Sequence, residues 1–190
     1  MKVMSKECCI GKENIEDGYF SSENTKKIWS FFVLETPVVG LSARSKDLKS
    51  HGWNKPWNKN YYLNKQLKEI STNIDLMSST DKYDKMDEAL EKVKLLDNFP
   101  SDLGYERIGI YNNKKNQFIS TFYHIRNSLA HGRFDVRMTS EEKVRVYIFE
   151  DVIKDKDGFK ISARMILRED TLISWVNLIK GGEQPYHKNC

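Results

Sequence analysis

Four apolar residues, Phe118, Phe122, Ile125 and Leu129, recur at steps of four, three and four and stop just short of Gly132. That spacing is the stripe of a core-facing helix, and a glycine immediately beyond it is a helix terminator. The pattern predicts one amphipathic helix over about Asn113–His131, and this helix fixes where three polar groups stand. With Leu129 at the centre of the stripe, steps of about 100° per residue put Arg126 on its flank. Asn127 and His131, one turn apart, fall together on the far side. A guanidinium, a carboxamide and an imidazole thus meet on the non-core side of one helix end.

Their chemistry suits one reaction well. Arg is permanently charged and forks onto phosphate oxygens, and His gives or takes a proton near neutral pH. Cleavage of a phosphodiester by its own 2′-hydroxyl needs a base for that hydroxyl, an acid for the leaving 5′-oxygen, and a cation for the charge that builds on phosphorus. No metal and no cofactor enters this scheme. A single His does not readily serve both sides of the phosphorus, so a two-fold homodimer supplying two copies of each group is the natural completion.

Arg126-Asn127, then His131 and Gly132-Arg133-Phe134, resembles the R-x(4–6)-H signature of HEPN-domain proteins, in which the residue after Arg is commonly Asn, Asp or His. The resemblance covers about 20 residues closely. It implies a helical bundle that dimerises across the motif and cuts RNA without metal, often within a toxin–antitoxin or phage-defence system. Carried over residue by residue, it gives His131 the role of general base or acid and Arg126 that of stabilising the phosphorane. Asn127 would orient the site or contact the phosphate. Arg133 and Tyr123 are the candidate substrate-binding residues beside them, although Arg133 and Arg137 serve equally well as solvated surface. The contrasting reading is a non-catalytic HEPN-like module that binds RNA or nucleotide, or that is held by an antitoxin or regulatory protein. A third is a toxin modified on a hydroxyl such as that of Tyr123.

The rest of the chain reads as one domain of 190 residues, with a loosely ordered lead-in over 1–20. A strongly apolar helix over Ile28–Leu34 is expected to be central, and Pro37 ends it. Leu63, Leu67, Ile70, Ile74 and Met77 predict a helix, and Tyr83, Met86, Leu90, Val93 and Leu96 another, capped from Ser79-Thr80-Asp81. Tyr105–Tyr111 fits either a helical turn or a strand. Beyond the motif the period changes to two in Val144, Val146, Ile148 and in Ile161, Ala163, Met165, with Asp157-Gly158 between them. This predicts a β-hairpin of about Lys143–Ile153 with Phe159–Leu167. Asp170 then caps a last helix closed by Gly181-Gly182. The expected fold class is therefore mainly α: a bundle of about five helices with a β-hairpin inserted before the C-terminal helix.

Net charge is +4 with the signs well mixed, which permits an RNA partner without demanding one. Tryptophans 53 and 57 sit in a loop with lysines and asparagines, an arrangement that either stacks bases or, more commonly, pins the loop to the body. His124 is expected to be a partly buried polar residue rather than a second catalyst. Cys8, Cys9 and Cys190 lie at the ends without metal-ligand spacing and read as free thiols of a cytoplasmic protein. Neither an export signal nor a membrane span is expected.

Overall fold

A computed structural model describes residues 22–183 except 39, 42, 43, 45, 115, 140–143 and 157. The lead-in, the three cysteines and His187 lie outside the described residues. Helix α1 (Glu23–Trp29) continues in wide π-type turns over Ser30–Glu35 and buries Ile28, Phe31 and Phe32. It is followed by α2 (Tyr61–Ile70), β1 (Ile74–Thr80), α3 (Met86–Lys92) and β2 (Glu106–Tyr111). Then come α4 (Gln117–Ala130), β3 (Phe134–Met138), β4 (Arg145–Asp155), β5 (Gly158–Arg168) and α5 (Glu169–Gly181).

The five strands form one mixed sheet in the order β1-β2-β5-β4-β3. Strands β1 and β2 run parallel and the other pairs antiparallel. Helix α3 makes the crossover between the parallel pair, as such a connection requires. Its face of the sheet carries Val146, Ile148, Ile161 and Ile166 over Leu90 and Val93. The other face carries Ile108, Ile110, Tyr147, Phe149 and Met165 under α4, α5 and the segment around Phe31 and Phe32. Gly109 lies where β2 passes closest to α3: a Cβ there would stand 2.8 Å from Leu90 and 2.9 Å from Val93.

This architecture overturns the expected helical bundle: the chain is α/β, with helices layered on a mixed sheet. Three local readings account for the difference. The stripe from Leu63 to Met77 is not one helix, because α2 ends at Ile70 and Ile74 and Met77 belong to β1. The Ser71 hydroxyl donates to Leu67 O and accepts the Trp175 indole N–H at 2.8 Å, and a turn closed by the Ile74 N–H on Ser71 O at 3.1 Å carries the chain into β1. Tyr105–Tyr111 resolves as strand β2 because β1 and β5 flank it. Phe134–Met138, for which no element was expected, pairs with β4 as an edge strand. The hairpin is found at β4–β5, with Asp155 opposite Gly158.

Candidate functional site at the end of helix α4

Helix α4 begins where Asn116 Oδ1 accepts the Ile119 N–H at 3.1 Å, a side-chain cap on an otherwise unsatisfied donor. Phe118, Phe122, Ile125 and Leu129 are all buried, as the stripe predicts. Phe122 is the hub, edge-on to Phe31, Phe32 and Trp57 and tilted on Trp175. At the far end Gly132 takes φ +64°. Its N–H reaches Leu129 O at 3.3 Å, and the Arg133 N–H reaches Ser128 O at 2.8 Å. These paired bonds satisfy the last carbonyls and turn the chain sharply into β3. His131 sits at this turn with its side chain exposed, its own N–H donating to Asn127 O at 2.9 Å.

Arg126 and Asn127 lie just inside the terminus. Arg126 is half-buried, and its Nη1 donates to Asn127 Oδ1 at 3.2 Å. Its Nε is buried without a partner among the described residues. Asn127 is only 9% exposed and turns toward β4, where its Nδ2 donates to Asp151 Oδ2 at 3.3 Å. The helix is covered on two sides, so Asn127 packs against the sheet and does not share the solvent face of His131.

The same carboxylate oxygen lies 2.7 Å from His124 Nδ1, and both residues are buried. His124 Nε2 lies 2.8 Å from Tyr111 O. A carbonyl only accepts, so Nε2 is the donor in that contact, and Nδ1 is the nitrogen that faces the carboxylate. Asp151 Oδ1 also accepts the Val152 N–H at 3.0 Å. Around this pair stand three phenol rings. Tyr123 meets His124 edge-on at 5.1 Å, with the Lys114 ammonium 5.0 Å from the Tyr123 ring. Tyr83 stacks on Tyr111 at 3.8 Å. Burial pushes the Tyr83 phenol well above its usual range, and Tyr111, Asp151 and Tyr123 add to the effect.

Of the two candidate substrate-binding residues, Tyr123 is half-buried beside this network. Arg133 is buried instead in an ion pair with Glu150 at 3.4 Å. Glu150 in turn accepts Arg164 Nε at 3.0 Å, and Arg164 Nη1 donates to Leu95 O and Leu96 O. Arg137 is exposed and paired with Asp135. Trp53 and Trp57 are buried, their indole N–H groups donating to Ile179 O and Pro37 O, so both pin the loop. Among the described residues no group of three or more His, Cys, Asp or Glu is arranged to hold a metal ion. No described helix is long and apolar enough to cross a membrane.

The model of one protein family, HEPN pEK499 p136, matches residues 38–179, which span α2 through most of α5. The chain belongs to this HEPN family. No curated protein and no solved structure matches it. Within this HEPN protein, the groups that sequence reasoning left out are Asp151 and its bond to His124. Asp151 is 27 residues from His124 in the chain, and only the packing of α4 on β4 joins them. His124 was expected to be a partly buried polar residue, and it is buried with both ring nitrogens bonded.

Proposed function

We propose that this HEPN protein is an endoribonuclease that needs no metal ion. What supports the reading is that Arg126 and Asn127 form one hydrogen-bonded line just inside the α4 terminus, with His131 exposed at its tip. A base removes the proton from the RNA 2′-hydroxyl, and the 2′-oxygen attacks phosphorus. The P–O5′ bond breaks, and an acid protonates the departing 5′-oxygen. Products carry a 2′,3′-cyclic phosphate and a 5′-hydroxyl. His131 acts as base or acid, and the Arg126 guanidinium holds the charge on the phosphorane oxygens. Asn127, packed against the sheet, orients Arg126, and the half-buried Tyr123 lies against the bound strand.

Proton transfers occur on opposite sides of the phosphorus, and one chain carries one His131. The active form in this reading is a homodimer with its two-fold axis near His131, so that two copies of each group flank one cleft. A protein partner that covers this terminus would silence it, as an antitoxin does in a toxin–antitoxin setting.

The test is incubation of RNA with purified protein in EDTA, followed by end-group analysis. Cyclic-phosphate products, lost in both Arg126→Ala and His131→Ala, are expected. Cleavage abolished by EDTA, or unchanged in both variants, overturns the proposal. RNA retained but never cleaved moves the protein to the class of binding modules.

A further inference from the structure

Asn127 has a donor end and an acceptor end, and its surroundings allow only one orientation. The Arg126 guanidinium only donates and the Asp151 carboxylate, when ionised, only accepts. Asn127 therefore presents Oδ1 to Arg126 and Nδ2 to Asp151. Reversed, it would set N–H against guanidinium and oxygen against carboxylate. Asp151 is itself firmly held, by His124 Nδ1 on one oxygen and by the Val152 N–H on the other. The strand register shifts between Asp151 and Val152, the kind of irregularity that re-aims a side chain.

We infer that Asp151 is a positioning residue: through Asn127 it fixes the direction in which Arg126 presents its guanidinium to the phosphate. This rests on the reading of Arg126 as part of an RNA-cleaving site. The substitution Asp151→Asn probes it without changing shape. The Val152 N–H needs an acceptor at the Oδ1 position, so the new carboxamide keeps its oxygen there and places its N–H group where Oδ2 stood, between His124 Nδ1 and Asn127 Nδ2. That N–H then faces Asn127 Nδ2, donor against donor. Asn127 reverses and turns its own N–H groups on Arg126.

Single-turnover RNA cleavage is measured for the wild type, Asp151→Asn, Asn127→Ala and the double variant. Asp151→Asn is expected to slow cleavage by about 10–100-fold, since a misplacement on the order of 1 Å at a reacting site can cost about 100-fold. KM should stay close to the wild-type value. In the Asn127→Ala background the same substitution should cost nothing further, because its effect passes through Asn127. An equal loss in both backgrounds, or a folded Asp151→Asn protein with the wild-type rate, overturns the inference.

NMR of the Asn127 side-chain amide protons gives a second readout. Slow exchange with water is expected in the wild type and its loss in Asp151→Asn. Exchange at the free-amide rate in the wild type overturns the inference even if the variant does not fold. A wild-type protein that cleaves no RNA would remove the functional reading alone, and the NMR result would still decide the role of Asp151.

Discussion

Glu106, at the start of β2, is a buried carboxyl whose proton can be followed through the stability of the fold. Its Oε1 accepts the Arg168 N–H at 2.6 Å, and its Oε2 accepts the Thr171 hydroxyl at 2.9 Å. It thereby ties β2 to the entry of α5. Burial outweighs both hydrogen bonds and pushes its pKa from the ordinary 4.5 up to about 7, with Asp170 adding to the rise. A carboxyl raised in the folded state favours folding when protonated. The stability it contributes is fully present below about pH 4.5 and is lost as pH rises through about 7. At roughly 1.4 kcal/mol per tenfold change in proton affinity, the loss is on the order of 3 kcal/mol. Glu106→Gln keeps an acceptor for the Arg168 N–H and directs an N–H at the Thr171 oxygen, so both bonds survive without a titrating proton. Urea unfolding of the two proteins at a series of pH values isolates the effect, since every other group titrates in both. The variant should gain on the wild type by about 2–3 kcal/mol between pH 5 and pH 8. A difference constant to within about 0.5 kcal/mol over that range would show that Glu106 does not carry a raised pKa.

Two further outcomes follow from packing. Glu150→Ala leaves the Arg164 and Arg133 guanidinium groups buried without their shared carboxylate, and chemical denaturation should register a loss of about 3–5 kcal/mol. Gly109→Ala drives a methyl into Leu90 and Val93. It should cost about 1–3 kcal/mol in the same assay, while the proposed RNA cleavage, at a temperature where the variant stays folded, should match that of the wild type.

How far the sequence could be read depended on whether an interaction is local. The α4 stripe, its Gly132 stop and the β4–β5 hairpin are all decided by near neighbours, and the structure has each where the residues imply, although Asp157 of the expected Asp-Gly turn lies outside the described residues. Strand β1 was hidden because Ile74 and Met77 happen to continue the helical spacing of α2. The Glu150–Arg164 pair illustrates the other limit. Counting back from the turn, with Asp155 opposite Gly158, would set Glu150 across from Ala163. The register shift at Asp151 moves Arg164 into that position. The same irregularity lies beside the carboxylate that binds His124 and Asn127, so the inner half of the candidate site was not legible either. Its outer half, Arg126 and His131, needed only the helix.

We propose that Arg126 and His131 carry out metal-independent RNA cleavage. Single-turnover rates on one RNA substrate in EDTA, for the wild type, Arg126→Ala, His131→Ala and the double variant, test it most directly. Each single variant should lose about 100-fold or more, the scale of a general acid–base or charge-stabilising group, with folding unchanged. The double variant should be little slower than the worse single one, because the groups act as a unit. Folded single variants that cleave at the wild-type rate, or a wild-type rate that vanishes in EDTA and returns with added metal, would contradict the account.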